Sequence, residues 1–197
     1  MTTKDVDNLN YWKNPGDNNS ATNYLDTEKN QKRTESLFKI IEKYATKEFS
    51  ILELGCNVGR NLNKLYREGY KNVIGIEISE LAVKVGEKEY PELRGKIMIS
   101  AIEDKIKELP PYDIIFTRAV LEHIMTTSEW IFPEIERMTK GYLITIEDEK
   151  SSTWKHYPRN YKEVFKNMEQ VEERIMTPED GLSSDFVLRV FKKKRKK

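Results

Sequence analysis

Ser50-Ile-Leu-Glu-Leu-Gly-Cys-Asn-Val-Gly-Arg-Asn-Leu62 passes from a short apolar run, through a turn with two glycines, into a segment of helical spacing. A tight strand-to-helix turn needs positive φ, and a bound cofactor needs backbone to approach it without Cβ atoms in the way. Such a turn alone says little, because many strand–helix turns carry glycine for packing. The neighbouring sequence makes the pattern specific. The next apolar run, Asn72–Ile78, carries Glu77 near its carboxyl end. An acid there can accept hydrogen bonds from both ribose hydroxyls of an adenosine-containing cofactor.

Outward from this pair, strand-like and helix-like segments alternate. Ser50–Leu54, Asn72–Ile78, Lys96–Ser100, Tyr112–Thr117 and Gly141–Glu147 read as strands. Arg60–Glu68, Glu80–Tyr90 and Ser128–Lys140 read as helices, the last with Trp130, Ile131, Ile135 and Met138 on one buried face, and a further helix is expected from about Lys32 to Tyr44. The pattern predicts an α/β fold with a doubly wound, mainly parallel, Rossmann-like sheet. After the polar loop Asp148–Asn160 and a short helix over Tyr161–Met168, the runs Gln170–Met176 and Asp185–Phe191 flank Asp180-Gly181. They predict an antiparallel C-terminal hairpin at the sheet edge. The expected organisation is an arm over residues 1–30, one domain over 31–191 and a basic tail over 192–197.

Composition bounds the function. The 197 residues suffice for one domain with a real core, and 38% apolar, 10% aromatic and 34% charged residues describe a polar globular chain. No apolar run approaches the roughly 20 residues that cross a bilayer, and Met1–Asp7 has no apolar segment behind a basic one. A cytoplasmic protein without membrane contact is expected. The single cysteine, Cys56, excludes a disulfide framework and a cysteine-based zinc site. Net charge is +1 from 34 basic and 33 acidic residues; without the six basic residues Lys192–Lys197 it becomes 28 against 33, or −5. A mildly acidic body argues against a broad phosphate-binding face, leaving the tail as a solvated terminus or a local contact to nucleic acid.

The turn lacks the middle glycine of Gly-x-Gly-x-x-Gly and is not followed by Gly-Lys-Ser/Thr, so neither a dinucleotide fingerprint nor a phosphate loop is present. Instead Ile51-Leu-Glu-Leu-Gly-Cys-Asn-Val-Gly59 resembles the first motif of class I S-adenosylmethionine-dependent methyltransferases. Ser100-Ala-Ile-Glu-Asp104 resembles the segment bordering the adenine ring, and Tyr112–Ile124 resembles the fourth-strand motif. Within that class, Leu54–Leu62 and Phe116–Ile124 are similar to bacterial methylases of nucleotide-sugar and surface-glycan pathways, with Trp12 ahead of Gly16-Asp17 as an echo. The resemblance implies S-adenosylmethionine as cofactor. It implies cofactor binding by Glu53, Gly55, Asn57, Gly59, Glu77, Ile78, Ile102, Glu103 and Thr117, with Glu53 near the methionine amino group. Asn57 stands where most of the class has glycine, and asparagine tolerates left-handed backbone angles. Cys56 is read as packing.

A sulfonium carries its own leaving group, so the protein mainly aligns nucleophile, methyl carbon and sulfur. A hydroxyl acceptor also needs a base, for which His123, His156, Tyr11 and Tyr24 are the candidates, whereas a carboxylate acceptor needs none. Leu121-Glu-His-Ile is read as the start of a helix lining the pocket. Two histidines and scattered acids fall short of a ligand set, so no metal is expected. The aromatics Tyr11, Trp12 and Tyr24 suggest that the arm closes as a lid, or that it packs behind the helix at 32–44. The leading function is methylation of a small polar acceptor, at oxygen of a sugar or similar metabolite. The alternatives are a nucleic-acid methyltransferase, weakened because Phe116-Thr-Arg-Ala replaces the Asn/Asp-Pro-Pro-aromatic arrangement, and a non-catalytic cofactor-binding module. Oligomeric state is not read from the chain.

Overall fold

The computed structural model describes residues 3–194. Seven strands form one sheet: β1 (Ile51–Leu54), β2 (Val73–Glu77), β3 (Ile97–Ile99), β4 (Tyr112–Arg118), β5 (Thr139–Asp148), β6 (Glu169–Ile175) and β7 (Phe186–Lys192). Their order is β3-β2-β1-β4-β5-β7-β6. The first five are parallel, and β7 inserts antiparallel between β5 and β6. The predicted edge hairpin is therefore present, with the exposed, Glu-rich β6 outermost. Seven helices accompany the strands: α1 (Thr3–Lys13), α2 (Glu28–Tyr44), α3 (Arg60–Arg67), α4 (Glu80–Glu89), α5 (Ile102–Lys105), α6 (Ile131–Met138) and α7 (Tyr161–Val164).

Alternation along the strands sorts the apolar residues into two cores. Ile51, Ile114, Phe116, Ile144 and Ile146 face α2, α3 and α4 through Leu37, Ile41, Leu62, Leu65 and Val83. Leu52, Leu54, Ile115 and Leu143 face the other layer, α6 and α7, through Ile131, Phe132, Ile135 and Tyr161. Each such buried aliphatic or aromatic side chain contributes about 1.5–3 kcal/mol. The layers are thus helix, sheet, helix. No helix among the described residues is long and apolar enough to cross a membrane.

Three expectations need correction. The helix expected over Ser128–Lys140 is only Ile131–Met138, because Thr139 already pairs with Tyr112 as the first residue of β5. Trp130 consequently sits ahead of the helix and is 39% exposed, with the Lys107 ammonium 4.4 Å from its ring. The helix expected to reach Met168 stops at Val164, where the chain turns so that Phe165 and Met168 are buried. The arm, for which no helix or strand was expected, forms an element of its own, α1. Of the basic run, Lys192 belongs to β7 opposite Tyr142, and the Lys193 amide donates to the Gly141 carbonyl at 2.8 Å. Arg195–Lys197 lie outside the described residues.

Candidate active site

β1 lies between β2 and β4, so the chain reverses its winding at β1 and leaves a crevice at the carboxyl ends of these strands. There the structure has a cavity of about 330 Å³. The loop after β1 is shaped by left-handed residues. Gly55 has φ +68°, and a Cβ on it would fall 2.5 Å from Val120 Cγ2. Asn57 has φ +50°, the conformation expected of an asparagine in place of glycine, and its Oδ1 accepts from the Val58 amide at 2.9 Å.

One wall is organised by Glu77. Its Oε2 accepts from the Asn57 amide and its Oε1 from the Ser79 amide, both at 2.8 Å, so the acid ties the β1 loop to the start of α4. Ser79 in turn caps α4, its hydroxyl accepting from the Ala82 amide at 3.3 Å. Burial pushes the Glu77 carboxyl up, against the opposing pull of the Ser79, Asn57 and Ile78 amides. Ile78, Ser100, Ala101, Ile102 and Glu103 continue this wall.

The opposite wall carries buried charge. Glu53 Oε1 accepts from the Asn61 amide group at 2.6 Å, while Oε2 is buried without a hydrogen-bond partner. Burial pushes the Glu53 carboxyl up to about 8. Arg118, at the end of β4, is pushed down to about 9 by burial and by Arg60, and its Nη1 is likewise buried without a partner. Arg60 is pinned by Thr34 Oγ1 at 2.8 Å and by the Tyr24 carbonyl.

The third side joins Glu122, His123 and His156 beneath the arm. Glu122 Oε1 is 3.5 Å from His123 Nε2 and 3.8 Å from His156 Nε2. Burial pushes His123 down to about 3, so it is neutral. Burial together with Glu147 and Asp148 pushes Glu122 up. Trp12 lies tilted against His123, and Tyr11 packs edge-on against Trp12 and Trp154. The Asn19 side chain bridges the hydroxyls of Tyr11 and Tyr24, at 2.6 and 3.1 Å.

Of the residues expected at the site, Glu53, Gly55, Asn57, Glu77, Ile78, Ile102, Glu103, Tyr24, His123 and His156 line the one cavity. Gly59 heads α3 with φ +78° and stands behind the lining. Thr117 is a correction: it is fully buried, and its hydroxyl donates to Glu147 Oε1 at 2.6 Å inside the sheet. Tyr11 is also displaced, since Trp12 takes the place on the cavity. Sequence reading missed Arg118, Arg60 and Glu147. Arg118 and Glu147 were signalled only as charged residues at the carboxyl ends of apolar strands, and Arg60, the first residue of α3, carried no such signal.

The sequence matches the family described as "Methyltransferase domain" over residues 45–195. The chain belongs to this methyltransferase-domain family. The match begins at the end of α2 and takes in all seven strands, so it includes every wall of the cavity except the arm and α2. Among solved structures, the fold is similar to magnesium protoporphyrin IX methyltransferase from Synechocystis PCC 6803 with bound SAM, at TM-score 0.73 and 14% identity over 98% of this chain and 97% of that one. It is similar also to the N-methyltransferase NodS from Bradyrhizobium japonicum WM9 in complex with S-adenosylhomocysteine, at TM-score 0.69 and 18% identity over 98% and 100%. In sequence, the mRNA cap guanine-N(7) methyltransferase of Saccharomyces cerevisiae is 27% identical over 47% of this chain, a match that spans 24% of that protein.

Proposed function

We propose that the protein transfers a methyl group from S-adenosylmethionine to a hydroxyl of a small polar acceptor. The observation that carries this reading is the pair of orphaned atoms in one wall. Glu53 Oε2 offers an acceptor and Arg118 Nη1 a donor, both buried and both unpaired. A buried polar atom left in this state costs about 1–3 kcal/mol. An amino-acid zwitterion relieves both costs at once, its ammonium on Glu53 and its carboxylate on Arg118. Glu77, across the cavity, suits the ribose hydroxyls. Ile78, Ile102 and Glu103, on the same wall, would hold the adenine, the first two by apolar contact and Glu103 by its polar group. The residues present fit the cofactor.

Bound S-adenosylmethionine supplies a methyl carbon made electrophilic by the adjacent sulfonium. The protein's part is to hold, orient and exclude water, effects worth roughly 7–11 kcal/mol in favourable systems. Glu53, Arg118 and Glu77 would hold the two ends of the cofactor, and Trp12, Tyr24, His123 and His156 line the remaining side of the cavity, where an acceptor would enter. Glu122, His123 and His156 are the polar groups that meet the acceptor hydroxyl at that end. The arm, residues 1–30, serves as the lid over this end. The yeast relative acts, by its name, on an mRNA cap. An acceptor end built on Glu122, in a body of net charge −5, favours an uncharged polar molecule over a polyanion.

Calorimetric titration with S-adenosylhomocysteine tests the reading. One site per chain is expected, with Arg118→Met weakening affinity about 10-fold or more, the scale of a hydrogen bond to a charged group. Absence of binding to the wild-type protein overturns it.

A further inference from the structure

The chain has two histidines, His123 and His156, and both end at the same carboxylate. One candidate donor atom from each of Glu122, His123 and His156 lies within 4.8 Å of the other two. We propose that these three residues form a binding site for one divalent first-row transition-metal ion at the acceptor end of the cavity. That ion's role in catalysis rests on the function proposed above; its binding does not.

The argument is the direction of the lone pairs. His123 Nδ1 lies 2.8 Å from the Lys155 carbonyl, which only accepts, so Nδ1 carries the proton and Nε2 is bare. This is the arrangement by which a backbone carbonyl fixes the tautomer and aim of a metal-ligating imidazole. His156 Nδ1 lies 2.6 Å from Thr153 Oγ1, a hydroxyl able to accept its proton, with Nε2 turned inward to Glu122. Glu122 Oε2 accepts from the Asp148 amide at 2.5 Å, which leaves Oε1 facing both imidazoles. Three lone pairs therefore converge with their outer atoms already tethered. The loop that brings His156 is itself anchored to Glu122, whose carbonyl accepts from the Tyr157 amide at 2.7 Å.

Spacing and charge agree. Tetrahedral nitrogen and oxygen ligands at about 2.0–2.2 Å from zinc lie roughly 3.3–3.6 Å apart. The two Glu122 edges, 3.5 and 3.8 Å, are close to that length, and the candidate donor atoms of the three residues all lie within 4.8 Å of one another. Glu147 and Asp148 add negative charge beside the cluster, set against the one Lys155 ammonium, which bonds Tyr11 Oη at 3.2 Å and whose charge also reaches both imidazoles. Two imidazoles and one carboxylate suit zinc, iron(II) or cobalt(II) better than magnesium or calcium, which want oxygen ligands. Three protein ligands leave a coordination position open, as in catalytic rather than structural sites. All three residues line the cavity, so a bound ion would be accessible from it.

The test uses the 197-residue chain without a histidine tag, stripped by chelator and dialysed. Titration with cobalt(II) should give one ion per chain with visible ligand-field bands of low symmetry, displaced by zinc. His156→Ala and Glu122→Gln should each weaken uptake at least ~10-fold, the lower bound seen when metal-site partners are removed. A far-ultraviolet circular dichroism spectrum and a cooperative unfolding transition of His156→Ala that match wild type verify an intact fold. Absence of saturable uptake, or uptake equal in wild type and His156→Ala, overturns the metal site. Neither result bears on cofactor binding, so the two proposals fail separately.

Discussion

The indole of Trp12 lies on the imidazole of His123, with ring centroids 4.3 Å apart and planes tilted by 42°. A residue of the N-terminal arm thereby covers a residue 111 positions later (123 − 12) that projects from the turn after β4. The contact carries the arm across the open end of the crevice. It also gives the aromatic residues of a polar segment a structural reason to exist.

Removing that cover should separate binding from turnover. Trp12→Ala, or deletion of residues 1–14, is expected to leave S-adenosylhomocysteine affinity within a few fold and to lower turnover by at least ~10², the scale set by lost positioning. The deletion stops short of Tyr24 because the Tyr24 carbonyl holds Arg60, and Asn30 donates to the carbonyls of Asn23 and Leu25 at 2.9 and 2.7 Å. Full turnover by the shortened protein would refute the lid.

Glu77→Ala should weaken S-adenosylhomocysteine binding by about 1.5–3 kcal/mol, the range for hydrogen bonds to a charged group. The structure adds a second consequence. Because Glu77 also holds the amides of Asn57 and Ser79, the substitution should lower thermal stability, whereas Glu77→Gln should spare much of it. Unchanged calorimetric affinity in Glu77→Ala removes the ribose assignment.

Much of this was legible from the chain. The strand–turn–helix of 50–62 with Glu77 marked the crevice, because periodicity and turn chemistry are local. Asn57 could be anticipated in a left-handed turn for the same reason. Arg118, Glu147 and the convergence of His123 with His156 were not legible, because each depends on which strand end faces which loop. Thr117 was misplaced for a related cause: neighbouring residues at a strand end point to opposite faces, and its hydroxyl serves Glu147 within the sheet.

Cofactor binding should release a proton near neutral pH. In the free protein Glu53, raised to about 8, is mostly protonated at pH 7. A bound ammonium favours the carboxylate, so affinity for S-adenosylhomocysteine should increase as pH rises from 6 to 8 and level off above. The same shift lowers the stability of the free protein over this range. A carboxyl whose folded pKa exceeds its ordinary 4.5 binds more protons folded than unfolded, and stability falls as pH rises toward 8. Calorimetry in buffers of different ionisation enthalpy measures the released proton. Its persistence in Glu53→Gln would assign it elsewhere.

Gly55 meets two separate demands, and a double-mutant cycle distinguishes them. Its φ of +68° is left-handed, which costs a residue with a Cβ about 1–2 kcal/mol. The added Cβ would also fall 2.5 and 2.8 Å from the two γ-methyls of Val120, an overpacking worth about 1–3 kcal/mol. Gly55→Ala should therefore cost roughly 2–5 kcal/mol in urea unfolding, the sum of those two ranges. Val120→Ala removes both γ-methyls and should recover the overpacking share in the double variant, leaving the backbone share in place. The cavity makes a second readout available. Val120 lines it and its amide donates to Glu147 Oε2 at 2.8 Å, so a displaced Val120 disturbs the acceptor end as well. S-adenosylhomocysteine affinity should fall in Gly55→Ala and return partly in the double variant. Additive costs, with no coupling between the two positions, would show that Gly55 is required for its backbone angle alone.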